Sequence, residues 1–241
     1  MMKKLYLLLL VGFMLGLMAP LRSGSSTRVT SPTRGSFNGH EWVDLGLPSG
    51  LKWATCNMGA LSPEDYGDYY AWGETSPKSE YLWGNYRFRE SGDAIYNVTF
   101  SKYNTKDERG SVDNKTQLDY SDDAARVNWG GNWRMATFAE WEELKTQCDW
   151  TWTTQGGKNG YKVTSKMNGD SIFLPAAGFR DSGYPGDTDL INGGIHGYYC
   201  SSTLYTEYPY GSRGVDFGSS GVRMSAYGVR YNGESVRPVS E

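Results

Sequence analysis

GYYCSSTLYTEYPYGSRGVDFGSSGVRMSAYGVRYNGESVRPV, residues 197–239, is the stretch on which the fold turns. Tyrosine, glycine, serine and arginine crowd it, and seven of the 18 tyrosines lie between Tyr198 and Tyr231. Lysine last occurs at Lys166, glutamine at Gln155 and tryptophan at Trp152. Apolar residues recur at Leu204, Val215, Phe217, Val222, Met224, Val229, Val236 and Val239, as the inward teeth of strands would. Tyrosine offers a large, fairly rigid contact area with a polar tip, while serine and glycine give adaptable hydrogen bonds and close approach. Antibody binding loops use that mixture for the same reasons. The segment predicts strands carrying a contact surface over residues 198–232. Its candidate contact residues are Tyr199, Cys200, Tyr205, Tyr208, Tyr210, Ser212, Asp216, Ser219, Arg223, Ser225, Tyr227 and Tyr231. Asp216 and Arg223 would add charge selectivity.

The residue menu has a second reading. Codons ending in C or T encode Tyr, Ser, Gly, Arg, Asp, Cys, Ala, His and Asn, but never Lys, Gln, Glu, Met or Trp. Randomising the adenines of an Asn codon produces that set, and all the candidate positions belong to it. Glu207, Met224 and Glu234 do not fit and would be fixed. The plain alternative is a Tyr/Gly/Ser-rich sheet with no such history.

Outward from this segment, the chain's 241 residues suffice for one large domain or two small ones, with a sizeable core. It is 38% hydrophobic and 15% aromatic, with 31 Gly and 9 Trp, so the core is expected to be built largely from rings. Such a composition reads as short strands and tight turns rather than a helical bundle. The net charge of −3 argues against a nucleic-acid partner. Two histidines and three cysteines argue against a rich metal centre or a dense disulfide framework.

MMKK followed by the apolar run LYLLLLVGFMLGLMAPL (5–21) predicts a secretory signal over residues 1–21, with an uncleaved anchor as the alternative. Residues 22–38 are Ser/Thr-rich and read as a flexible stalk, so a domain is expected over 39–241. Membrane contact would run only through the signal or anchor segment. After export, Cys56 and Cys148 can form one disulfide.

Residues 41–56 alternate around Pro48-Ser49-Gly50 and predict a hairpin. Ser121 is a candidate cap for a helix reaching about Asn128. Thr137-Phe-Ala-Glu140 is a capping box, and the helix after it places Phe138, Trp141, Leu144 and Cys148 on one face. Strands follow from Tyr161, with a turn at Asn168-Gly169. Two helices among many strands predict an α+β fold.

Catalytic signals are weak. No G-x-S-x-G, C-x-x-C, P-loop or dinucleotide fingerprint occurs, so no enzyme and no cofactor is expected. His40 reads as structural, and His196 faces either a ligand or water. Asp181, Asp187 and Asp189 lack the spacing of an EF-hand.

HEWVDLGLPSGLKWATCNMGA (40–60), SPEDYGDYYAWGET (62–75), DDAARVNWGGNWRMATFAEWEEL (122–144), NGDSIFLPAAGFR (168–180) and SVRPV (235–239) together resemble the Fibrobacter succinogenes major paralogous domain of exported Bacteroidetes proteins. WRMATFAEWEEL also resembles a block of formylglycine-generating-enzyme-like proteins, which have a C-type lectin-type fold. The resemblance implies that α+β fold, with two helices and mostly antiparallel strands whose C-terminal set displays the ligand surface. The same fold carries the variable region of diversity-generating retroelement proteins, which the tail before SVRPV resembles. Ala136 stands where the family usually has Pro, and Cys200 where Trp is commoner. The E-P-N and W-N-D calcium signatures of sugar-binding lectins are absent, as is the reactive cysteine pair of the formylglycine enzymes. The expectation is an exported, surface-displayed, secreted or periplasmic receptor or adhesin, binding a protein or glycan on another cell, phage or matrix. The alternatives are a carbohydrate-binding module linked to polysaccharide use and a surface or pilus structural component.

Overall fold

The computed structural model describes residues 33–183 and 189–241, apart from the side chains of residues 225–227. The expected export segment, the first part of the stalk and Asp187 lie outside the described residues. Strands β1 (Arg34–Phe37), β2 (His40–Asp44) and β3 (Lys52–Ala54) are followed by the short β4 (Arg89–Ser91) and β5 (Thr99–Phe100). Helix α1 (Ala124–Trp129), β6 (Arg134–Met135) and α2 (Phe138–Gln147) lead to β7 (Cys148–Gln155), β8 (Lys158–Ser165) and β9 (Ser171–Pro175). Then come β10 (Phe179–Arg180), β11 (Leu190–Ile191), β12 (His196–Leu204), β13 (Gly211–Gly218), β14 (Gly221–Val229) and β15 (Pro238–Ser240). The named strands pair antiparallel, and with two helices the fold is α+β. Among the described residues no helix is long and apolar enough to cross a membrane.

Local chemistry accounts for much of this. The expected hairpin is β2–β3, with Val43 opposite Trp53 and Gly50 N–H closing the turn on Leu47 O at 2.9 Å. The capping box forms as the residue types require. Glu140 N–H donates to Thr137 Oγ1 at 3.3 Å, and Thr137 N–H donates to Glu140 Oε2 at 2.7 Å. On α2, Trp141 and Leu144 are buried, as is Cys148 just beyond the helix end, while Phe138 is half-buried under Arg213. The first helix is capped by Asp123 rather than Ser121: residues 120–122 form a 3-10 turn, and Asp123 Oδ1 accepts from Arg126 N–H at 2.9 Å. The β7–β8 hairpin closes on Gly156 and Gly157, both with positive φ (53° and 78°), between the paired Gln155 and Lys158. That two-residue turn is the glycine-favoured type for hairpins.

Two further expectations are corrected. Residues 34–37, read as stalk, are a strand paired with β2, so the folded unit begins before residue 39. Phe37 also reaches into the fold, where its carbonyl accepts from Trp133 Nε1 at 2.9 Å. Cys56 and Cys148 are free thiols. Cys148 starts β7 opposite Ser165 in an apolar core, whereas Cys56 follows β3 beside Thr55, so the two belong to separate surroundings.

Two ring-rich cores result. One gathers Trp53, Trp141, Tyr199 and Phe217, with Trp53 edge-on to Trp141 at 4.9 Å. The other gathers Trp72, Phe100, Tyr103 and Trp133, with Trp72 edge-on to Tyr103 at 5.1 Å. The SVRPV segment leads into β15, which is inserted between β3 and β6 in a five-stranded sheet. That insertion draws residues 230–237 back across the molecule and past the edge of β12.

Candidate ligand pocket on the C-terminal sheet

Strands β12, β13 and β14 form a three-stranded meander in which the period-2 alternation assigns two faces. Tyr199, Val215 and Phe217 enter a core, with Tyr199 stacked on Phe217 at 5.7 Å. The opposite face aligns Tyr198, Asp216 and Arg223 as direct cross-strand neighbours. Arg223 donates to Asp216 Oδ2 through Nε at 3.0 Å and Nη2 at 2.5 Å. Tyr198 lies edge-on to Phe179 at 4.9 Å, and its hydroxyl accepts from Asn192 Nδ2 at 3.0 Å.

The returning segment supplies the third wall. Ser235 N–H donates to Tyr198 O at 3.1 Å and Cys200 N–H to Ser235 O at 3.3 Å, so residues 232–235 run beside β12. Glu234 is further held by reciprocal backbone bonds with Tyr70, each 3.0 Å. The cleft so formed, of about 480 Å³, is lined by Phe179, Tyr198, Tyr199, Gly214, Val215, Asp216, Arg223, Met224, Gly228, Val229, Asn232 and Glu234.

Glu234 is 8% exposed, and among the described residues no group donates a hydrogen bond to its carboxylate. Burial, and next the nearby Asp216 carboxylate, push its pKa up to about 8. The buried Asn232 Oδ1 also has no hydrogen-bond partner among the described residues. Gly228 makes the close approach possible, because a Cβ there would sit 1.9 Å from Glu234 Oε1.

The predicted contact residues are therefore only partly brought together. Asp216 and Arg223 line the cavity, and Ser219 is exposed at the β13–β14 turn. Tyr199 borders the cavity, but its ring is buried in the core: it is 0% exposed, donates to Pro175 O at 2.9 Å and accepts from Asn57 Nδ2 at 3.2 Å. Cys200 and Ser212 are also buried, and burial pushes the Cys200 thiol well above its usual range. Tyr205, Tyr208 and Tyr210 form a separate row with centroid spacings of 5.6 Å, exposed chiefly at Tyr208. Tyr231 packs edge-on to Trp83 at 4.8 Å and donates to Asp181 Oδ2 at 3.0 Å. The side chains of Ser225 and Tyr227 lie outside the described residues.

His40 stacks on Trp129 at 3.7 Å, a packing role, and His196 Nδ1 lies 3.2 Å from the Tyr198 hydroxyl. Asp189 pairs with Arg180 at 2.5 Å and Asp181 is engaged by Tyr231, while Asp187 lies outside the described residues. Among the described residues no cluster of three or more His, Cys, Asp or Glu is placed to hold a metal.

The residues not singled out from sequence are Tyr198, Phe179, Asn232 and Glu234. A signal for Glu234 was present, since it is a carboxylate set two residues before the apolar tooth Val236. Tyr198 lacked one, because in a Tyr-Tyr pair alternation says that one faces inward but not which. Comparisons with protein-family models, with curated proteins and with solved structures find no match to this chain.

Proposed function

We propose that this chain is an exported ligand-binding protein of receptor or adhesin type, with a C-type lectin-like domain and its binding surface on the β12–β14 sheet. The carrying observation is the cavity, in which a charged pair, an aromatic ring and an unpartnered carboxylate converge on a hydrogen-bonded meander. Rigid strands under a polar, aromatic rim suit recognition. Cys200, buried and held as a thiol, is poorly suited to the oxidase chemistry of the formylglycine enzymes, which favours binding over catalysis. Glycan and cell-surface protein arrays test this reading. A ligand of this surface is expected to lose about tenfold or more in affinity on Arg223→Ala, which removes an exposed guanidinium while leaving both cores untouched. Equal binding by Arg223→Ala and Tyr198→Ala for every ligand found would overturn it.

We further propose that the surface is retroelement-diversified, under limits that packing supplies. A Cβ at Gly214 would meet Tyr199 O at 2.4 Å, and one at Gly218 would meet His196 at 2.5 Å. Tyr199, Cys200 and Ser212 have no outward face. Deep sequencing of the gene's 3′ end from many cells should therefore find adenine-directed substitutions at Tyr208, Ser219, Ser220 and Arg223, and none at Tyr199, Gly214 or Gly218. An invariant 3′ end with no nearby repeat would leave a fixed adhesin or glycan binder. The exposed Tyr208 ring, backed by Tyr205 and Tyr210, offers a face of the kind sugars stack upon and favours glycan binding as the second reading.

A further inference from the structure

Among the described residues, two carboxylates dominate the polar chemistry of the cavity. Its described side chains place the Glu234 and Asp216 carboxylates together, with the buried Asn232 Oδ1 beside them, and Arg223 gives its Nε and Nη2 to Asp216. The Tyr198 hydroxyl accepts from Asn192 Nδ2 and lies 3.2 Å from His196 Nδ1. A ligand group that meets these two carboxylates must bring donors. Around these acceptors stand the Phe179 and Tyr198 rings and the aliphatic Met224 and Val229. A carboxylate buried without a partner is costly, and a charged, hydrogen-bonding counter-ion is what offsets that cost.

We propose that the pocket receives the alkylammonium end of a lysine side chain from a protein ligand, with Glu234 as counter-ion and Asn232 Oδ1 as a second acceptor. This rests on the ligand-binding reading of the same sheet. An ammonium carries three donors, which a carboxylate and an amide oxygen two residues apart can share. Its methylene stem matches the aliphatic and aromatic walls, and ring faces attract the cation. An amino sugar would bring the same ammonium on a ring of hydroxyls, each needing a partner where Met224, Val229 and Phe179 offer none.

Proton linkage follows. The free pocket keeps Glu234 protonated below its raised pKa of about 8. A lysine amine, with an ordinary pKa of about 10.4, arrives already charged. Binding thus releases close to one proton at pH 6.5, and affinity rises about tenfold per pH unit until Glu234 ionises by itself. Among the described residues, the groups acting on Glu234 or acted on by it are Asp216 from β13 and Tyr198 and Cys200 from β12, with Arg223 of β14 paired to Asp216. Burial raises both Tyr198 and Cys200, so they stay neutral through this window, and Asp216 raises the pKa of Arg223, which stays charged.

The test titrates the full chain with Nα-acetyl-lysine methylamide, its norleucine counterpart, glucosamine and N-acetylglucosamine, read by methyl NMR at Met224 and Val229 and by calorimetry in two buffers. The lysine probe should bind with proton release and the norleucine probe should not. Glu234→Gln should weaken binding about tenfold or more and abolish the release. Asn232→Ala, which keeps the carboxylate, should weaken it several-fold. Equal binding of lysine and norleucine probes, or an unaffected Glu234→Gln, would overturn the proposal. Glucosamine binding as tightly as the lysine probe would overturn the choice of lysine. A neutral probe that binds at Met224 and Val229 regardless of Glu234 would refute the ammonium while leaving the pocket a ligand site. If no probe perturbs the pocket, the ammonium proposal falls, and the wider reading is still decided by the Arg223 arrays.

Discussion

Replacing Arg237 with methionine should destabilise the protein by more than about 4 kcal/mol, a large share of the stability of an ordinary domain. The side chain is buried, and its guanidinium donates five hydrogen bonds. Nε and Nη2 reach Asn57 Oδ1 at 3.0 and 2.8 Å, and Nη1 reaches Ala54 O and Thr55 O at 3.1 and 2.9 Å. Nη2 also reaches Phe173 O at 2.9 Å. One planar fork thus ties the segment entering β15 to the loop after β3 and to β9, and Asn57 in turn supports Tyr199. None of these acceptors is charged, and burial lowers the arginine's pKa, so the interaction is one of geometry rather than ion pairing. Methionine relieves the buried charge but strands three carbonyls and an amide oxygen, each costing about 1–3 kcal/mol. Lysine cannot span that set and should fail as well. Guanidinium chloride unfolding followed by tryptophan fluorescence measures the loss; a change below about 1 kcal/mol would show that water or repacking satisfies these acceptors.

Glu234→Gln should change how stability depends on pH. The Glu234 carboxyl keeps its proton to about pH 8 in the folded chain. In the unfolded chain it loses that proton near an ordinary value of about 4.3. Between those values the native state holds the extra proton, so stability falls as pH rises. The contribution is complete below about pH 4.3 and is lost as pH passes through about 8, with a slope of at most about 1.4 kcal/mol per pH unit. The wild type should therefore lose on the order of 3 kcal/mol between pH 5 and 8 relative to Glu234→Gln, which carries no proton to lose. Asp216 adds to the shift and would itself be a secondary control as Asp216→Asn. Melting temperatures across pH 5–9 provide the readout, and parallel profiles for the two proteins would refute the buried-carboxyl account. An alkylammonium in the pocket should shrink the slope, because it stabilises the ionised form.

Elements decided by neighbours in the chain are legible in the residues themselves. The capping box at Thr137 and Glu140 needs only residues three apart and forms bond for bond. The β2–β3 hairpin and the aromatic cores follow from alternation and composition. The Gly156-Gly157 turn carries an equally local signal, a glycine pair between two runs able to form strands. It falls in the gap between the helical face ending at Cys148 and the strands expected from Tyr161, which is why β7 goes unpredicted.

The sequence by itself determined an α+β chain, its ring-built interior and the residue menu of residues 197–239, because propensity, capping and alternation act over a few residues. Tertiary structure alone decided that the Tyr199 ring enters the core while Tyr198 takes the opposite face, and that Cys56 and Cys148 stay apart. It also decided that Glu234, an exception to the menu, meets Asp216 from a segment drawn back by β15. Alternation yields two faces without saying which will be covered. Which one is covered depends on where residues far apart in the chain come to rest, and burying a carboxyl beside another raises its pKa only once they have.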